Sequence, residues 1–198
     1  MVPPGNTDWM IFEEDIKESL NTLRNGGVIL YPTDTVWGLG CDATNQVAVE
    51  KIFKIKSREE GKSLLVLVNN ELMVGRYVTE VPEIAYELMS VSDSPLTIIY
   101  PCGKNLASGV CASDGSVGIR VCMDDFCNEL INRFRKPIIS TSANLSGNPT
   151  PGNFIEIEGS LIGMADYVVK YRQDDRKKQN ASPVIKIGSN GTIKIIRK

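Results

Sequence analysis

Short apolar runs alternate with helical stripes along almost the whole chain, and that alternation leaves few folds open. Residues 28–31, 64–68, 96–100, 117–121 and 137–140 are apolar runs of four or five residues, the length and pattern of strands buried on both faces. Between them the spacing changes. Phe12, Ile16, Leu20 and Leu23 make a helical stripe within 12–25, which Gly26-Gly27 stops in a left-handed turn. Val49, Ile52, Phe53 and Lys56 share a face within 46–57, with Asn45 placed to cap that helix. Residues 70–77, 82–91, 124–135 and 154–163 also read as helices, the second with Pro82 in its first turn. A strand at 167–169 and a terminal hairpin, 184–187 with 192–196 around Ser189-Asn190-Gly191, complete the pattern. The expectation is one α/β domain over residues 1–198, a twisted and mostly buried sheet with helices on both faces. Residues 1–11 are expected to form an irregular N-terminal arm, and the charge-dense stretch 172–181 a mobile surface loop.

Composition enters where it removes chemistry. The chain has no histidine, which excludes Ser-His-Asp and Cys-His nucleophile pairs and histidine-bearing zinc sites. Catalysis has to come from lysine, arginine, carboxylates, hydroxyls, backbone dipoles or an oxygen-held metal. A formal net charge of −2 argues against a dedicated nucleic-acid binder. The five cysteines form no CxxC pair. No basic and apolar leader opens the sequence, and no apolar run approaches the roughly 20 residues of a membrane span. Reduced thiols and a cytoplasmic location without membrane attachment are therefore expected.

Three segments carry polar chemistry. Pro32-Thr33-Asp34-Thr35-Val36-Trp37-Gly38-Leu39-Gly40 follows the first apolar run. Proline ends that strand, and the hydroxyls and carboxylate then fall at a strand end, where open α/β sheets bind ligands. They equally suit a turn that satisfies its own backbone. Lys56-Ser57-Arg58, with Lys62 beyond, gathers three cations at a helix end. They can complement the helix dipole, or clamp phosphate and carboxylate. Ser140-Thr141-Ser142-Ala143-Asn144-Leu145-Ser146-Gly147 follows another apolar run, either as a polar loop or as an oxygen-rich ligand shell. Ser116 and Arg120 bracket a strand-like run, and Ser182 and Arg197 flank the terminal hairpin.

Taken together, in this order and spacing, the three segments resemble the YrdC-type L-threonylcarbamoyladenylate synthases, from about Asp15 to Arg197. The resemblance implies a YrdC-like sheet around a large, basic, concave cavity, in the single-domain form. It implies a nucleotidyltransferase that joins L-threonine, bicarbonate or CO2, and ATP into threonylcarbamoyl-AMP and pyrophosphate. The product would feed a transferase complex that makes threonylcarbamoyladenosine in tRNA, with weak direct binding of tRNA or double-stranded RNA. It further implies a catalytic tetrad of Lys56, Arg58, Ser142 and Asn144. Arg58, Lys62, Ser116, Ser142, Asn144 and Arg197 would face ATP, and Thr35, Arg120 and Ser182 would face threonine. Mg2+ would be held mainly by ATP phosphates, with Ser142 and Asn144 as supplementary oxygens and no fixed protein cage. Three positions depart from the family: Leu67 stands where many members carry a histidine near threonine, Trp37 replaces a tyrosine, and Ser182-Pro183 replaces Ser-Thr. Leu67 is thereby expected to line the threonine pocket. The alternative is a double-stranded RNA-binding or ribosome-associated module that uses the same cavity without turning over ATP.

Overall fold

The computed structural model describes residues 7–57 and 64–198. The elements in chain order are α1 (Thr7–Arg24), β1 (Ile29–Tyr31), β2 (Gly38–Gly40), α2 (Gln46–Lys56), β3 (Leu65–Val68), α3 (Glu71–Tyr77), α4 (Glu83–Val91) and β4 (Thr97–Tyr100). They continue with β5 (Val117–Val121), α5 (Asp125–Phe134), β6 (Ile138–Ser142), a 3-10 turn (Phe154–Glu156), α6 (Gly159–Ile162), β7 (Tyr167–Val168), β8 (Val184–Ile187) and β9 (Ile193–Arg197).

The strands join in one sheet in the order β7-β1-β2-β6-β3-β5-β4-β8-β9. Three neighbour pairs are parallel, β1 with β7, β3 with β5 and β4 with β8, and the others are antiparallel. The sheet is therefore mixed. Its central strands are buried over most of their length, and Leu30, Leu39, Val66, Leu67 and Ile139 are inaccessible to solvent.

Most expected elements form within a residue or two of their sequence signals. Asn45 caps α2 by accepting from Ala48 N, and Gly26 adopts φ 71° behind α1. Three differences have clear causes. First, α1 starts at Thr7, so residues 7–11 extend the helix and only residues 1–6 of the expected arm lie outside the described residues. Trp9 stacks on Phe12 at 5.6 Å, which gives the added turn a packing partner. Second, the helix expected at 154–163 is broken into a 3-10 turn and the single turn of α6, because Ile157 is extended (φ −73°, ψ 130°) and buries its side chain. Third, β2 was not expected as a strand at all. Its two glycines offered no apolar run, yet tertiary pairing seats it between β1 and β6.

Residues 172–181 run between β7 and β8 and touch the rest of the chain at several points. Gln179 N donates to Gly152 O (2.9 Å), Lys178 pairs with Glu156 (2.5 Å), and Arg172 pairs with Asp124 (2.5 Å), the N-cap of α5. Upstream, the buried Asp15 carboxylate accepts from Tyr167 OH (2.6 Å), Lys170 N (2.9 Å) and Tyr171 N (2.7 Å), tying the exit of β7 to α1.

Candidate active site

Alternation along the strands sorts side chains onto two faces. Ile98, Tyr100, Ile119 and Val121 point beneath α3 and α4. Leu65, Arg120, Ser140 and Ser142 point the other way, into a cavity of about 200 Å3. The β1–β2 loop supplies Thr35 and Trp37 to its wall, the strand approaching β8 supplies Ser182, and β9 supplies Arg197.

The floor is an ion pair. Arg120 Nη2 lies 2.9 Å from Asp34 Oδ1, with both side chains almost fully buried (3% and 6% exposed). The other Asp34 oxygen accepts from Met123 N (3.0 Å). Arg120 also reaches Ser182 Oγ and Thr33 Oγ1, each at 3.4 Å, and Ser182 Oγ is 2.8 Å from Thr97 Oγ1. Arg120 Nε is buried and has no partner among the described residues. An unsatisfied donor on a buried cation is costly. The neighbouring loop is stiffened by its own hydroxyls. Thr33 Oγ1 accepts from Thr35 N (3.0 Å) and donates to Val36 O (2.9 Å), and Thr35 Oγ1 lies 3.1 Å away. Trp37 packs on Phe154, ring centres 4.8 Å apart.

The second constellation lies behind Ser142. Lys56, the last residue of α2, donates to Ser142 O (2.6 Å), to Asn144 O and to Asn144 Oδ1 (3.2 Å). Ser142 Oγ donates to the same Asn144 Oδ1 (2.5 Å), while Asn144 Nδ2 donates to Leu145 O (3.0 Å) and Asn148 O (2.7 Å). Three of the four expected catalytic residues thus form one hydrogen-bonded cluster. Although Lys56 ends a helix, it is not solvated there. It is 3% exposed and locks the 142–148 loop against α2. Ser57 then turns left-handed (φ 46°) and directs the chain toward residues 58–63. Arg58 and Lys62 lie outside the described residues.

Arg197 donates through Nε (3.0 Å) and Nη2 (2.7 Å) to Ser182 O, so β9 clamps the segment that carries Ser182. Besides Lys56 and Asn144, which stand behind Ser142, two more expected site residues, Leu67 and Ser116, are not among the residues that line the cavity. Leu67 is in parallel register with Arg120, on the same face of the sheet, and is wholly buried within the apolar core. Ser116 donates its hydroxyl to Asp114 Oδ1 (2.5 Å) in the turn before β5. That hydrogen bond, and next Lys186, hold the Asp114 carboxyl well below the usual carboxylate range. Sequence reasoning placed Asp34 in a polar motif but missed its partner, because nothing local links it to an arginine four strands further along the chain.

The oxygen set does not make a metal cage. Among the described residues no three acidic, histidine or cysteine side chains gather in a metal-binding group. Asn144 Oδ1 already faces the Lys56 ammonium, which excludes it as a cation ligand in this arrangement, while the Ser142 hydroxyl remains at the cavity wall. The site fits a divalent ion carried in by a polyphosphate and its waters.

Comparison with known proteins extends this geometry. The Sua5/YciO/YrdC family model, described as telomere recombination, matches residues 21–198. A threonylcarbamoyl-AMP synthase of Pseudoalteromonas translucida is 32% identical over 185 residues, covering 91% of this chain and 97% of that protein. The synthase of Vibrio cholerae is 36% identical over 143 residues, covering 71% and 76%. In fold, the chain is similar to E. coli YciO (TM-score 0.80, 24% identity, 99% of this chain and 92% of that one). It is also similar to P. abyssi Sua5 complexed with L-threonine (TM-score 0.75, 24% identity), covering 91% of this chain but about half, 51%, of that longer one.

Proposed function

This chain belongs to the Sua5/YciO/YrdC family, and from that premise we propose that it is a threonylcarbamoyl-AMP synthase. It takes L-threonine, bicarbonate or CO2, and ATP, and releases threonylcarbamoyl-AMP and pyrophosphate, with one water besides when the carbon enters as bicarbonate. The observation that carries this reading is the buried Arg120, with its unpartnered Nε, sharing one cavity with Thr35, Ser142, Ser182 and Arg197.

Each group has work that its position suits. Arg120 receives the threonine carboxylate, which completes the guanidinium that Asp34 alone leaves unsatisfied. Thr35 and Ser182 hydrogen-bond the remaining polar atoms of threonine. Its amine and CO2 make a carbamate, and a carbamate oxygen attacks the α-phosphorus of ATP as pyrophosphate leaves. Two anions meet in that step, so the barrier is largely electrostatic and positional. Ser142 is the hydroxyl on the ATP side, held by Asn144 and Lys56 from behind, and Arg197 reaches in from β9. By family resemblance Arg58 and Lys62 complete the phosphate contacts. Mg2+ carried on ATP supplies charge neutralisation for the leaving pyrophosphate. No proton has to be taken by histidine, which agrees with its absence. The product goes to a transferase that modifies tRNA in the cytoplasm.

The RNA-module alternative is weaker. Among the described lining residues only Arg120 and Arg197 are cationic, and the first is buried against a carboxylate. A duplex backbone needs a row of exposed cations. The deciding experiment measures pyrophosphate release from ATP with and without threonine and bicarbonate. Release that requires both is expected. Turnover indifferent to both, or duplex RNA binding without turnover, would overturn the assignment.

A further inference from the structure

A second cluster of polar groups, without protein partners among the described residues, lies outside this cavity. A small pocket of about 90 Å3 between α3 and α5 is lined by Asn69, Asn70, Arg76, Asn132 and Arg135, with Met73 and Ile131 at its apolar base. Arg76 and Arg135 are exposed, and neither guanidinium has an ion pair or hydrogen bond among the described residues. Arg133 and Arg172, by contrast, each contact a carboxylate.

Cations at helix C-termini often serve the helix dipole. Here that duty is filled by other donors. In α3, Val74 O accepts from Val78 N (3.0 Å), Arg76 O from Asn105 Nδ2 (2.9 Å) and Tyr77 O from Lys104 N (2.9 Å). In α5, Ile131 O accepts from Arg135 N (2.8 Å) and Arg133 O from Arg24 (3.4 Å). The Arg76 and Arg135 side chains are left over.

The amides point the same way. Asn70 is committed, capping α3 through Met73 N and donating to Asn69 Oδ1 (3.0 Å). That leaves Asn69 Nδ2 and the whole Asn132 amide without partners among the described residues. The pocket thus offers two guanidinium forks and two amide N–H2 groups, all donors. Among the described residues no carboxylate lines this pocket; Asp125 and Glu129 line the adjoining groove, which shares Asn69 and Asn132 with it and continues to Trp9, and Glu129 is paired with Arg133 (2.5 Å). Arg135 holds a left-handed backbone (φ 65°), which fixes where its side chain leaves the helix end.

We infer that this pocket binds a phosphate group, as the free ion or as the monoester of a nucleotide whose organic part extends along the groove toward Trp9. Guanidinium forks match the paired oxygens of a phosphate, and the amides fill its remaining acceptor positions. The site is separate from the ATP cavity and does not depend on the catalytic assignment.

The test is a titration of the intact protein, followed by 1H-15N NMR. With sodium phosphate at fixed ionic strength, the side-chain amides of Asn69 and Asn132 should shift saturably. The Arg76→Gln/Arg135→Gln double variant should weaken this response by roughly tenfold or more, having lost two charge-assisted contacts. Asn132→Ala provides a second variant that keeps both cations and should weaken it less. Arg120→Gln, which alters the cavity, should leave it unchanged. AMP then distinguishes the source: a shift confined to Asn69 and Asn132 indicates recognition of phosphate alone, and an added shift of the Trp9 indole N–H indicates a nucleotide. Either pattern supports the site. No saturable shift, an equal shift with sodium chloride, or a response that survives in the double variant would overturn it.

Discussion

At the scale of single residues, a buried ion pair and a buried lysine decide how the cavity works. Asp34 and Arg120 are held together away from solvent, and removing one partner of such a pair leaves an uncompensated charge, at a cost of about 3–5 kcal/mol. Asp34→Asn is therefore expected to lower stability in urea melts and, at temperatures where it stays folded, to raise KM for threonine more than KM for ATP. Equal effects on both constants would mean that the pair is only structural. Lys56 is the other case. Its ammonium fixes the carbonyls of Ser142 and Asn144, and each buried carbonyl left without a partner costs about 1–3 kcal/mol. Lys56→Met should thus reduce stability as well as turnover, the latter by about a hundredfold through displacement of the Ser142 loop. Lost turnover with unchanged stability would instead place the ammonium directly on substrate.

At the scale of elements, the glycines of the first polar motif are explained by packing. A Cβ on Gly40 would stand 2.5 Å from the Tyr31 ring and 2.8 Å from Ile139 O, and one on Gly38 would stand 3.0 Å from Ser140 Oγ. β2 can lie between β1 and β6 only because it has no side chains there, and this close approach sets the position of Thr35 and Trp37. Gly40→Ala meets backbone as well as a buried ring, so destabilisation by about 1–3 kcal/mol is expected, read as a lowered Tm. An unchanged Tm would show that the sheet yields freely at this point. The helices were easier to read than this strand. Asn45 carries a cap signal next to a clear apolar stripe and accepts the capping N–H from Ala48; in the structure Asp124 does the same for α5, accepting from Cys127. The 154–163 segment failed as a helix because burying Ile157 outweighed local propensity.

At the scale of the whole molecule, the cavity is a product of chain crossings. Its walls come from the β1–β2 loop, β3, β5, β6, the approach to β8, and β9, so no contiguous stretch encodes it. The cavity proposed to take threonine has Trp37, Leu65 and Ala181 in its apolar lining. A methyl group against such a wall is worth about 1–3 kcal/mol, and kcat/KM for threonine should exceed that for serine by roughly tenfold or more. Equal efficiencies would remove the apolar wall from the picture.

The sequence by itself determined the class of fold, most helices and strands, and the three polar segments whose order identifies the family. These are local signals: periodicity, caps, strand-ending proline and short motifs all act within a few residues. Tertiary structure alone decided which polar groups meet. It joined Asp34 to Arg120, buried Lys56 behind Ser142, placed Leu67 in the core and held Ser116 on Asp114. It also left Arg76 and Arg135 unpaired beside one pocket. The physical reason is that desolvation and ion pairing depend on three-dimensional neighbours, and in a mixed sheet the neighbours of each strand come from distant parts of the chain.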